Sequence, residues 1–123
     1  MMKKILMTLM MAVALAGCAE NAPATLKGKS FVLQNDKNIT LSFDAKEDRF
    51  AGKVLNNYFG SYTVEGNNIK FGAIASTMMA GPEAEMKKEQ SYFQNLGKVK
   101  TYSLKNKTLE LQGDGVTLTY QQQ

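Results

Sequence analysis

The stretch that decides the fold is NNYFGSYTVEGNNIKFGAIASTMMAGPEAEM, residues 56–86. Its first half alternates large apolar residues with polar ones, the period-2 pattern of a strand with one buried face. The alternation runs on both sides of the turn-forming Gly66-Asn67-Asn68, with Tyr58, Tyr62 and Val64 before it and Ile69 and Phe71 after it. This half therefore predicts two antiparallel strands.

The same alternation continues outward in both directions. Toward the N-terminus it includes Ile39, Leu41 and Phe43, separated by polar residues. Toward the C-terminus, two alternating segments flank Gly113-Asp114-Gly115 and predict a β-hairpin, with Leu109 and Leu111 before the turn and Val116, Leu118 and Tyr120 after it.

One helix is predicted from Pro82 to Leu96. Proline suits the first turn of a helix, acidic residues favour its positive end, and Gly97 predicts a left-handed stop. A narrow apolar stripe of helical period follows, consisting of Met86, Phe93 and Leu96, with Gln90 or Tyr92 at its margin. The fold class is therefore α+β: a mostly antiparallel sheet or partial barrel of about seven to eight strands with one helix packed on it.

The first 17 residues have the layout of a secretory signal. Lys3 and Lys4 precede an uncharged apolar run from Ile5 to Ala16, which is shorter than the roughly 20 residues of a membrane-spanning helix. We expect residues 1–17 to be cleaved, with the cut between Gly17 and Cys18.

Cys18 is the single cysteine of the chain. The sequence Leu15-Ala16-Gly17-Cys18 resembles the lipobox of bacterial lipoproteins, in which the cysteine sulfur receives a diacylglycerol and the new amine is acylated, often by palmitate. Several acyl chains make a durable membrane anchor. By the same resemblance, Ala19 after the cysteine favours the outer membrane of the cell envelope.

Composition supports one small domain behind this anchor. Residues 18–27 predict a flexible tether, and residues 28–121 a single folded domain. The formal charge of +4 includes both signal-peptide lysines, and basic residues are interspersed with acidic ones. Nucleic acid is therefore not an expected partner.

Residues 56–86, with the downstream segment SYFQNLGKVKTYSLKNKTLELQ, resemble the META domain family, which includes HslJ-like proteins. The matching positions run in the family's order and spacing: Asn57, Phe59, Gly60, Tyr62, Ile74, Ala75, Ser76, Thr77, Met79, Ala80 and Pro82.

Many members of that family carry two cysteines that this chain lacks. The corresponding positions are Gly81 and, as nearly as spacing allows, Leu55. The joint loss fits a pair that forms a disulfide in those members.

The resemblance implies a small α+β fold, envelope location and stress association, without established catalytic residues. The fold is also likened to lipid-anchored pilotins of type III secretion, which bind a segment of an outer-membrane secretin in a hydrophobic groove.

Neither catalysis nor a cofactor is expected from the residues. The chain has no histidine, so Ser76 or Thr77 would need a lysine or carboxylate as base, and a role in satisfying backbone groups is the favoured interpretation. Asp44, Glu47 and Asp48 could form a hard-cation site, but a solvated turn is favoured, so no metal site is predicted.

The one binding feature is a possible apolar groove formed by Met78, Met79, Met86 and Phe93, because methionine adapts to varied apolar shapes. Filling of the core under the helix is the alternative interpretation of these residues. We therefore expect a non-enzymatic envelope lipoprotein that acts in stress tolerance or envelope maintenance by binding. The alternative is a pilotin-like or chaperone-like module that binds an amphipathic segment or a lipid of an envelope partner in the groove.

Overall fold

The structure, a computed structural model, describes residues 25–77 and 81–123. These residues form nine strands and one helix. In chain order the elements are β1 Ser30–Leu33, β2 Asp36–Phe43, β3 Arg49–Lys53, β4 Asn57–Glu65, β5 Asn68–Phe71, β6 Ala75–Ser76, α1 Glu83–Gly97, β7 Val99–Lys105, β8 Thr108–Gly113 and β9 Val116–Gln122.

Eight of the strands form a closed antiparallel barrel. The order around it is β3-β2-β1-β9-β8-β7-β5-β4, and β4 pairs with β3 to close the circle. The short β6 pairs with the first part of β4, beyond the end of β5. The predicted α+β class with a barrel is thus confirmed, and closure pairs the edges that an open sheet would expose.

Apolar side chains at every second position of the strands fill the interior of the barrel. In β2, for example, Ile39, Leu41 and Phe43 are buried, while the residues between them face outward. Side chains that are almost completely buried come from most of the strands: Tyr58, Tyr120, Phe31, Phe50, Leu41, Leu109 and Leu111.

The helix covers one end of the barrel. It joins β6 to β7, and Lys88 contacts Asp36 at the start of β2. Its buried residues, Glu89, Tyr92 and Leu96, are spaced i, i+3 and i+7 and so form one face.

The other end of the barrel receives Leu26. This side chain is 3 % exposed and lies with Tyr62 and Tyr102 around a small cavity. The prediction placed Leu26 in the tether, whereas the structure packs it into the core. Both ends of the barrel are therefore closed by apolar side chains.

Two details of the helix prediction were wrong. Met86 was assigned to the apolar stripe, but it is 44 % exposed, and Glu89 is buried in its place. Gly97 belongs to the helix and does not have a positive φ; the chain leaves through Lys98, which has right-handed backbone angles and whose N–H donates to the carbonyls of Asn95 and Leu96. The helix ends without a left-handed residue because this backbone contact already satisfies its last carbonyls.

Candidate functional site

A cleft of about 670 Å³ lies between α1 and the chain around residues 56 and 76–77. We call it the helix cleft. Its wall includes Asn56, Thr77, Met86, Glu89, Gln90 and Phe93. In the helix cleft, residues of the segment 56–86 that resembles the META domain lie opposite the exposed side of the helix.

The base of the helix cleft is a polar network centred on Glu89. Its Oε1 accepts the backbone N–H of Asn56 at 2.7 Å and that of Leu55 at 3.2 Å. Its Oε2 accepts the side-chain Nδ2 of Asn56 at 2.9 Å. The carboxylate thereby fastens the helix to the turn between β3 and β4.

Thr77 extends this network to the strand–helix junction. Its hydroxyl donates to Asn56 Oδ1 at 3.1 Å and accepts the backbone N–H of Asn57 at 3.2 Å. The hydroxyl of Thr77 therefore has the backbone-satisfying role favoured from the sequence. Ser76 lies beside it in the cleft wall.

The apolar wall of the helix cleft comes from two of the predicted groove residues. Met86 is exposed, and Phe93 is half-buried against Tyr58, with ring centroids 5.2 Å apart. Both line the cleft. Met78 and Met79, the other two predicted residues, lie outside the described residues, as do Gly17 and Cys18.

A chain of three buried tyrosines lies beneath the helix. Tyr92 Oη is 2.8 Å from Tyr58 Oη and 2.7 Å from Tyr120 Oη, and Tyr58 donates to the Thr40 carbonyl at 2.6 Å. Burial raises the pKa of all three phenols, so they stay neutral. The sequence pattern did not predict these hydrogen bonds, because alternation shows that Tyr58 and Tyr120 face inward but not that both hydroxyls reach Tyr92.

The cleft also adjoins the two positions where family members often carry cysteine. A Cβ built on Gly81 would lie 2.7 Å from Leu55 Cδ2 and 3.4 Å from Leu55 Cγ. The two residues are therefore direct neighbours, and the leucine fills the space beside the glycine.

The acidic residues considered as a cation site form a solvated turn. Asp44 Oδ2 accepts the backbone N–H groups of Lys46 and Glu47, and these bonds hold the pKa of Asp44 below its usual range. Asp48 pairs with Lys27 at 3.1 Å. Within residues 25–77 and 81–123, no three acidic, histidine or cysteine side chains are grouped as metal ligands.

A larger hollow of about 870 Å³ lies near the single β5–β7 pair, Asn68 with Thr101. Lys70, Lys98 and Lys100 are on its wall, and Lys100 pairs with Asp114 at 3.0 Å. We favour the helix cleft as the functional site, because it combines an ordered polar base with exposed apolar side chains.

Residues 25–77 and 81–123 include no helix that is long and apolar enough to cross a membrane.

Comparison with known proteins places the chain in a family. The sequence matches the META domain over residues 20–123. No curated protein matches it.

Three solved structures share the fold. An NMR structure of a protein from Burkholderia xenovorans is 23 % identical with a TM-score of 0.68, covering 80 % of this chain and 83 % of that one. A second NMR structure is 19 % identical with a TM-score of 0.60, covering 78 % and 90 %. A crystal structure of a DUF4847 family protein from Bacteroides vulgatus is 16 % identical with a TM-score of 0.52, covering 68 % and 58 %. With the family match spanning most of its length, the chain belongs to the META domain family.

Proposed function

We propose that this META domain protein is a lipid-anchored, non-enzymatic binding module of the bacterial cell envelope, acting in stress tolerance or envelope maintenance. Its binding site is the helix cleft, and its ligand is the apolar face of an amphipathic segment of an envelope protein. The observation that carries the proposal is Met86, a large apolar side chain that is 44 % exposed beside Phe93 in a cleft with an ordered base.

The chemistry of the cleft supports binding over catalysis. Glu89 accepts three N–H groups, and the Thr77 hydroxyl is engaged with Asn56 and Asn57, so the described residues of the site form no prepared pair of nucleophile and base. Methionine and phenylalanine together form an adaptable apolar surface, as at other sites that accept amphipathic helices.

The anchor rests on the N-terminal sequence. Leu15-Ala16-Gly17-Cys18 follows a signal-like apolar run, and several acyl chains on Cys18 would hold the domain durably at a membrane surface. Ala19, in place of the aspartate that retains lipoproteins at the inner membrane, supports the outer membrane facing the periplasm.

Site-specific photo-cross-linking tests the binding site. A photoreactive amino acid replaces Met86 in the anchored protein within its native envelope, and the matched control carries it at Lys105, which is exposed at the far end of β7. We expect one reproducible protein adduct from position 86, and we expect that this adduct does not form from position 105. Adducts that are absent, or identical at both positions, would contradict the proposal.

Metabolic labelling tests the anchor independently. Palmitate label on the wild-type chain should vanish in Cys18→Ser, and Ala19→Asp should move the protein from outer-membrane to inner-membrane fractions. Retention of label in Cys18→Ser would refute the anchor. Wild-type protein in the inner-membrane fraction would refute the outer-membrane assignment, and unchanged fractionation of Ala19→Asp would refute the sorting role of position 19.

A further inference from the structure

Glu89 is a buried carboxylate on a cleft wall whose lysine, Lys87, is already paired with Glu83 at 3.6 Å. Glu89 is 8 % exposed, and no lysine or arginine of the described residues forms an ion pair with it. The neighbouring Lys88 pairs instead with Asp36 at 2.9 Å and Glu85 at 3.4 Å. Buried charges in proteins are ordinarily paired, because removing a charge from water is costly.

The hydrogen bonds of Glu89 leave room for one more donor. Among the described residues its partners are three N–H groups, two on Oε1 and one on Oε2. An ionised carboxylate offers about four acceptor sites. The remaining site is on Oε2, and Glu89 is part of the cleft wall.

The helix presents a docking strip next to this carboxylate. Met86, Gln90 and Phe93 follow one another at i, i+4 and i+7 and all line the cleft. Glu89 lies three residues after Met86 and four before Phe93, so it borders the strip. Such spacing is that of a helix surface that packs against a second helix.

We propose that the helix cleft docks an amphipathic helical segment that carries a lysine or arginine, whose cation binds Glu89 Oε2 while its apolar residues cover Met86 and Phe93. This inference rests on the proposed function and narrows it to a basic partner segment. Charge complementarity selects that occupant: a cation supplies both the missing donor and the missing positive charge, and the Phe93 ring adds a cation–π surface.

Labelled synthetic peptides test the inference. An amphipathic helical peptide of leucine, alanine and lysine is compared with one in which glutamine replaces lysine, by fluorescence anisotropy with the lipidated chain in nanodiscs. Binding to empty nanodiscs is subtracted. A charge-assisted bond predicts that the lysine peptide binds roughly tenfold more tightly, or better.

Variants assign this preference to Glu89. Glu89→Gln should abolish the preference, so that the lysine and glutamine peptides bind this variant with equal affinity, whatever that common affinity is. Glu85→Gln, on the same helix and paired with Lys88, is the matched control and should keep the preference. The wild-type comparison of the two peptides does not depend on the folding of any variant.

Other outcomes overturn the inference in distinguishable ways. Equal affinity of both peptides for wild type would refute the basic partner and leave cleft binding intact, whereas no binding together with no cross-link from position 86 would refute both proposals. A scrambled lysine peptide that binds equally well would refute a helical ligand. Displacement of the lysine peptide by a similar concentration of short-chain phosphatidylethanolamine would assign the cation to a lipid instead.

Discussion

At the scale of single residues, the tyrosine chain has one direction. The Thr40 carbonyl can only accept, so Tyr58 donates its single hydroxyl proton to it. Tyr92 must then donate to Tyr58, and Tyr120 to Tyr92. Each of the three phenols thereby donates one hydrogen bond, and Tyr92 links Tyr58 on β4 to Tyr120 on β9.

Removing the central hydroxyl should destabilise the fold. In Tyr92→Phe the buried Tyr120 hydroxyl loses its acceptor, and we expect the free energy of unfolding to fall by about 1–3 kcal/mol in chemical denaturation. The control is Tyr62→Phe, because Tyr62 is also buried but takes part in none of these three bonds. Equal loss of stability in both variants would mean that the hydrogen bonds among the three tyrosines add nothing to the stability of the fold.

At the scale of elements, the sequence pattern predicted which segments form strands or a helix better than it predicted which face of the helix is buried. Alternation of apolar residues identified β2 and the β8–β9 hairpin, because one buried face leaves a period of two. Both ends of the helix were predicted to within one residue, but its buried face was predicted wrongly. Glu89 is polar, and its burial depends on partners in the turn between β3 and β4 that no local pattern reveals.

The helix end gives a paired glycine prediction. Gly97 has helical geometry, and a Cβ there meets no atom within 4 Å, so Gly97→Ala should stabilise the protein by about 0.5–1 kcal/mol. Gly115 also has open space but a φ of 71°, so Gly115→Ala should destabilise it. Thermal or chemical unfolding of the two variants measures both. A stability loss in Gly97→Ala would argue for a left-handed stop after all.

The Leu55–Gly81 contact predicts that a new disulfide would fit. Leu55 Cβ is one bond from the Cγ atom that lies 3.4 Å from a Cβ built at position 81, so the two Cβ atoms are within roughly 5 Å, compatible with a disulfide. In a Cys18→Ser background, Leu55→Cys with Gly81→Cys should oxidise and stabilise the fold by about 2–4 kcal/mol relative to its reduced form. Mass spectrometry and unfolding with and without reductant measure this. Free thiols that persist after oxidation would contradict it.

At the scale of the whole molecule, closure of the barrel concentrates five tyrosines in and around one core. Burial raises the pKa of each of them. The alternating pattern predicted a sheet or partial barrel. Closure itself was not predictable, because the pairings of β5 with β7 and of β1 with β9 join strands that are distant in the chain and depend on sheet curvature rather than on local sequence. Of the four residues of the predicted apolar groove, Met86 and Phe93 line the same cleft, and Met78 and Met79 lie outside the described residues.

Stability should fall steeply at alkaline pH. Below pH 10, the ordinary tyrosine pKa, folded and unfolded chains are both protonated and the full stability is present. Above it, the unfolded chain loses protons that Tyr58, Tyr92 and Tyr120 retain when folded, so the free energy of unfolding falls by up to about 4 kcal/mol per pH unit. Denaturant titrations across this range measure the slope, with Tyr92→Phe expected to reduce it by about a third. A flat profile above pH 10 would contradict the burial of the phenols.

The two closed ends of the barrel give the molecule a proximal and a distal pole. The chain enters at Leu26 on one pole, and the helix with its cleft lies on the other. Under the proposed anchor, the segment from Cys18 to Thr25 spans at most about 25 Å. The lipid would then attach at the proximal pole, and the cleft at the distal pole would lie at the opposite end of the barrel from that attachment. A basic helix docked in the cleft would thus be separated from the attachment point by the length of the barrel.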